Sequence, residues 1–275
     1  MRRILYLLLV LTIDAVAYAQ QPSEARLHII GVVHFENQVR NADSLVTILK
    51  TINPDLILVE TDTISGYFGK GYQLRKPAWW YKLAAKLRLV RKMAPEMKAM
   101  YKYKSIEPSI QLLPFDMAIP NRNIYLKTSN KAEYELLMDI NGINRKGQIP
   151  ESLQEEHRTF IRHNNWLYDI RHFGYQHINR PLVTDSIRQL MDFEFRYFSS
   201  LFDSIPQLRK HQQQYLQERQ FWDRRNQQMA ENILSLVEST GSKRVVVLTG
   251  LLHKYYLEDL LLASKEKFLL DKHLP

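Results

Sequence analysis

The clearest periodicities lie toward the two ends of the chain. Leu27 to Gly31, Asp55 to Glu60 and Val245 to Thr249 are short runs dominated by Ile, Leu and Val, the pattern of strands buried on both faces of a parallel sheet. Between the first two, Ala42 to Thr51 sets Leu45, Ile48 and Leu49 on one helical face, with Asn41 or Asp43 as its cap. Asn53-Pro54 closes that helix, because the residue before proline disfavours helical backbone. The unit reads as βαβ. A further apolar stretch, Ile110 to Phe115, ends at Asp116 and contains Pro114, which cannot donate to a neighbouring strand and so makes the stretch at best an edge or terminal strand.

From Lys131 to about Ser239 the spacing turns helical, with Phe193, Tyr197, Phe198 and Leu201 among the repeats and breaks at Gly142, Arg180-Pro181 and Ile205-Pro206. Arg225 to Glu238 is the strongest of these helices, with Met229, Ile233, Leu236 and Val237 on one side and Gly241 beyond its end. Arg244 to Thr249 follows as the final strand. The expected architecture is α/β: a central, mostly parallel sheet built from the N- and C-terminal parts, with a large helical insertion or cap over about 130–222.

The first residues change the picture of where the domain begins. Arg2 and Arg3, the apolar run Ile4 to Ile13 and Ala17-Tyr18-Ala19 before Gln20 have the three regions of a secretory signal peptide, so 1–19 is set aside and 20–275 is read as one domain. The expected location is exported, periplasmic or extracellular. With no cysteine in the chain, stability rests on a packed core rather than on disulfides.

Charge is unevenly spread. The net charge is +9, yet Lys70 to Lys104 holds eleven Lys or Arg against Glu96 alone, so the rest of the chain is close to neutral. That distribution, together with export, argues against a nucleic-acid partner. The segment about 66–105 reads as a basic amphipathic insert: Pro77 opens a helix that sets Trp80, Leu83, Leu87 and Val90 opposite Lys82, Lys86, Arg88 and Lys92. Trp79 and Trp80 with a cationic face suit peripheral contact with an anionic membrane, or a lid over a substrate. Because the segment links Glu60 to Asp116, it is expected to flank the site.

Candidate chemistry sits at the strand ends. Gly31-Val32-Val33-His34 and Gly250-Leu251-Leu252-His253 each follow a buried strand, at the edge where open α/β sheets bind ligands. A third match, Gly174-Tyr175-Gln176-His177, has no preceding strand and is rejected as a decoy. Glu60 and Asp116 end their own strands on the same edge. If His34, Glu60 and His253 converge, they form a two-histidine, one-carboxylate set for a divalent metal that acidifies water, with Asp116 or Glu36 as a further ligand or base. Without metal, His34 would act as base, oriented by Glu60.

These segments, with Leu56-Ile57-Leu58-Val59-Glu60 and Arg225-Asn226-Gln227-Gln228-Met229-Ala230, resemble in order and spacing the signature of the TraB/GumN/TIKI superfamily, which is related to erythromycin esterase and the ChaN-like haem-binding proteins. The resemblance implies an active-site set at His34, Glu60, Arg225 and His253. It also implies hydrolysis of a peptide or small-molecule ester, metal-dependent (Mn, Co or Zn) on the TIKI pattern or metal-free on the esterase pattern. Arg225 enters only through this resemblance; in that role its guanidinium would pair with Glu60 or hold a substrate oxygen. The rival class is a haem or metal carrier without turnover, with a histidine as axial ligand.

Overall fold

A computed structural model describes residues 25–62, 67–69, 72–75, 87, 93–264 and 268–275. In chain order these form β1 (Ala25–Val32), α1 (Ala42–Ile52), β2 (Leu56–Val59), α2 (Pro95–Ile106), β3 (Gln111–Pro114), α3 (Arg122–Arg145), α4 (Gln154–Ile170), α5 (Tyr175–Ile178), α6 (Pro181–Ser204), α7 (Arg209–Thr240), β4 (Arg244–Gly250), α8 (Leu251–Ala263) and β5 (Phe268–Asp271). The expected signal peptide, Trp79, Trp80 and the basic face of the insert lie outside the described residues. Among the described residues, no helix is long and apolar enough to cross a membrane.

The strands make one all-parallel sheet in the order β3-β2-β4-β1-β5. Each strand's apolar run is continuous because alternate residues face two different cores. Ile30, Ile57, Val59, Val246 and Leu248 pack against α1, α2 and the start of α8, whereas Leu27, Ile29, Leu56, Leu58, Val245 and Val247 pack against α7. Asn41 caps α1 through its side chain, which accepts from the Asp43 and Ser44 amides. β3 occupies an edge, as Pro114 requires.

β5 is a correction to the expectation that β4 ends the sheet. It pairs in parallel with Ala25 to His28 of β1; its four residues carry too little alternation to be legible alone. The helical region has a core of its own, in which Leu136, Ile140, Phe160, Tyr197, Phe198 and Phe202 meet. It does not separate cleanly at 130 and 222, however. α6 runs from the sheet, where Val183 and Ile187 pack, into that core, and α7, about 48 Å long at 1.5 Å per residue, carries Met229, Ala230 and Ile233 back onto the sheet.

Because all strands run the same way, the residues following β1, β2, β3 and β4 emerge on one edge. Gly31 lets α8 close over it. A Cβ at Gly31 would lie 2.7 Å from Leu251 Cδ1, 3.2 Å from Leu251 Cα and 3.3 Å from Asn179 Oδ1. Gly31→Ala is therefore expected to cost about 1–3 kcal/mol of stability through overpacking. A denaturant midpoint equal to that of the parent chain would show that the seam between β1 and α8 has slack.

Candidate active site

Arg225, on the face of α7 turned to the strand ends, is the centre of the site. Its Nε donates to Asp116 Oδ1 at 2.8 Å, and its Nη2 donates to Glu60 Oε1 at 2.6 Å and Asp116 Oδ2 at 2.8 Å. Its Nη1 donates to His253 Nε2 at 2.9 Å. Burial opposes the guanidinium charge, but Asp116 and Glu60 more than offset it and raise its pKa above the ordinary value. Among the described residues, four bonds engage four of the five N–H groups and leave one Nη1–H without a partner.

Glu60 completes this knot from the end of β2. Its Oε2 accepts from the Thr249 hydroxyl at 2.8 Å and from the Gly250 amide at 2.5 Å. Burial alone would raise this carboxyl's pKa; His253, Arg225 and the two bonds from β4 instead hold it at about 2. His253, in the first turn of α8, is fixed on both ring nitrogens. Asn226 donates through Nδ2 to the Trp222 carbonyl, so its Oδ1 accepts from His253 Nδ1–H at 2.7 Å. The Nε2 lone pair is then the acceptor for Arg225. Trp222 stacks on the imidazole with centroids 4.0 Å apart. Burial first, and Arg225 and His34 with it, push the His253 pKa down to about 4 against the pull of Glu60 and Asp116, so the ring is neutral at neutral pH.

His34 stands apart from that knot. Its side chain is 50% exposed and its Nδ1 lies 2.6 Å from Glu96 Oε1, a carboxylate at the start of α2. Nδ1–H therefore donates to Glu96, and in the neutral ring the lone pair is on Nε2. Nε2 faces Gly250, since a Cβ there would lie 3.7 Å from it, 3.3 Å from Glu60 Oε2 and 3.4 Å from His253 Cδ2. All three side chains meet around one glycine, which leaves room between them.

Several expectations change on this geometry. Glu60 does not orient His34; Glu96 does, and it stood out in the sequence only as the lone acid of a basic stretch. Asp116, expected as a further ligand or base, is taken up by ion pairs. It is buried and accepts from Arg225, from Arg122 Nη1 at 2.8 Å and from the Met117 amide, which makes it the anchor of two guanidiniums. Glu36 pairs with Lys98 at 2.5 Å. Arg225 bonds both Glu60 and His253, so a guanidinium stands between two of the three expected metal ligands. Among the described residues, no group of three His, Cys, Asp or Glu side chains is placed to hold a metal ion. Of the two motif histidines, His253 has both ring nitrogens engaged, so between them an axial role toward haem falls to His34. Besides Glu96, the sequence reading missed Arg122, Asn226, Thr249 and Trp222, whose roles depend on partners far away in the chain.

The two depressed pKa values set an acid limit. Between pH 6.5 and about 4 the unfolded chain binds a proton at His253 that the folded chain refuses, and from 4.5 toward 2 the same holds at Glu60. Stability is therefore expected to fall as the pH drops through both windows. His253→Phe, which keeps an aromatic ring beside Trp222, should reduce the fall across the upper window in a series of thermal melts, leaving the part that burial of His28, His157 and His163 contributes. A parent chain whose melting temperature is constant from pH 6.5 to 4 would refute the assignment.

No family model, curated protein or solved structure matches the chain.

Proposed function

We propose that this chain is an exported hydrolase of ester or amide bonds, acting on a peptide or a small-molecule ester, with His34 as general base. The observation that carries the reading is the His34–Glu96 pair at 2.6 Å with Nε2 turned toward Gly250, beside a guanidinium that keeps one donor uncommitted. A buried carboxylate that holds Nδ1–H fixes the tautomer, as a base acting through Nε2 requires. Nε2 takes a proton from water while the water oxygen bonds to the carbonyl carbon, and the carbonyl π pair moves onto its oxygen. The remaining Nη1–H of Arg225 stabilises that oxyanion. When the tetrahedral intermediate collapses, the proton on Nε2 passes to the leaving alcohol or amine, and His34 is restored. The motif order resembling the TraB/GumN/TIKI superfamily supports hydrolysis, and the Arg2 to Ala19 pattern supports export.

The test is a set of p-nitrophenyl esters and p-nitroanilides assayed on the purified mature chain before and after EDTA. Turnover is expected to survive chelation. Activity that disappears with EDTA and returns with Mn, Co or Zn would overturn the metal-free route. A haem titration giving a Soret shift that His34→Ala abolishes, with no turnover, would replace the hydrolase by a carrier.

A further inference from the structure

The decoy motif turns out to lie against the strand it was contrasted with. Asn179, just beyond α5, is buried and bridges the backbone of Gly31: its Oδ1 accepts from the Gly31 amide at 2.6 Å and its Nδ2 donates to the Gly31 carbonyl at 3.0 Å. A second bond from Nδ2, to the Tyr175 carbonyl at 2.9 Å, ties the side chain to its own helical turn. β5 pairs with β1 only as far as His28, so beyond that point the amide of Asn179 does for Gly31 what a neighbouring strand would do.

Three residues after Gly31 comes His34, and the chain beyond it is anchored to the same neighbour. Arg40, wholly buried, donates through Nη1 to the Phe173 carbonyl at 2.6 Å and through Nη2 to the Arg171 carbonyl at 2.5 Å. Asn37 Nδ2 donates to the Arg171 carbonyl at 2.9 Å. The His34 turn is thus held from both sides by residues 171–179, while α2 supplies Glu96 independently.

The geometry points to Asn179 as a positioning residue for His34: by fixing the Gly31 backbone it sets the direction in which β1 ends, and with it the meeting of His34 Nδ1 with Glu96. The inference deepens the hydrolase reading, which gives His34 its role, but its test needs no turnover. In histidine labelled with 15N, His34 Nδ1 bonded to Glu96 stays protonated whether the ring is neutral or charged, and so has its own nitrogen shift.

Asn179→Ala is expected to move that shift toward the value of a ring exchanging between tautomers, to leave the His253 nitrogens in place, and to lower hydrolysis on the order of 10²-fold through misplacement of the base. A folded variant, shown by near-ultraviolet circular dichroism, whose His34 shifts match the parent overturns the inference. So does a variant that fails to fold, or one in which His34 and His253 shift alike, since either makes Asn179 a support of the whole fold. If the parent shows no hydrolysis but the His34 signature responds as described, the positioning role stands and only the hydrolase reading falls.

Discussion

Arg225→Met is expected to destabilise the chain by about 3–5 kcal/mol, the range for removing one partner of a buried ionic network. Methionine fills a similar volume, so little of the loss comes from a cavity. The damage comes from charge. Glu60 and Asp116 both accept from the guanidinium, and without it two buried carboxylates face each other with Arg122 as the remaining cation beside Asp116. His253 Nε2 also loses its donor. Glu60 would then titrate upward, because a principal cause of its low pKa is gone. Two measurements check this account: the urea midpoint at neutral pH, and its pH dependence, in which the deficit of the variant is expected to shrink below pH 4.5 as the parent loses the stabilisation held in its own depressed Glu60. The double variant Arg225→Met with Glu60→Gln should recover part of the lost stability. If it is no more stable than the single variant, the uncompensated charge is not the cause.

His34→Gln is expected to have the opposite profile. The side chain is half exposed and takes no part in the apolar cores, so the melting temperature should stay near that of the parent. Hydrolysis, in contrast, should fall by about 10²–10⁴-fold, the contribution of a positioned general base. Glu96→Gln separates the two parts of the pair. It leaves an amide able to hold the ring but takes away the charge that favours Nδ1–H and stabilises the imidazolium formed during proton transfer. A loss smaller than that of His34→Gln, falling on kcat more than on KM, is the expected result. Full activity in His34→Gln would remove this histidine from the chemistry and leave the Arg225 knot as a structural device.

The contrast between these variants follows from burial. Arg225 is 11% exposed and bonded to three side chains, whereas His34 is 50% exposed and bonded to Glu96. One residue holds the strand ends together and the other works at the surface of that assembly. A chemical role for Arg225 rests on its single remaining N–H, so Arg225→Lys is also expected to inactivate: an ammonium cannot span Asp116, Glu60 and His253 at once.

Much of the fold was legible from local pattern. The runs at Leu27, Leu56 and Val245 become strands because continuous apolar sequence of that length is satisfied only between two covered faces, and Pro114 correctly placed its strand at an edge. Parallel strands with their C-terminal ends on one side then bring His34, Glu60, Asp116 and His253 to a common edge without any knowledge of side-chain contacts. β5 escaped because four residues at an edge carry too little periodicity to distinguish a strand from a loop.

The sequence by itself determined which residues reach the edge; only the tertiary structure decided which of them bond to one another. Glu60 and Gly250 are separated by 190 positions, Arg225 and Asp116 by 109, His34 and Glu96 by 62. Periodicity reports burial and facing, which are set within a few residues. Ionic and hydrogen-bond partners are chosen by the packing of helices on the sheet and by the need to neutralise buried charge, and neither leaves a local trace. For that reason the two histidines, identical in motif, part company in the fold: His253 is locked beneath Trp222 in the Arg225 knot, and His34 is turned outward by an acid that the sequence had placed in a basic stretch.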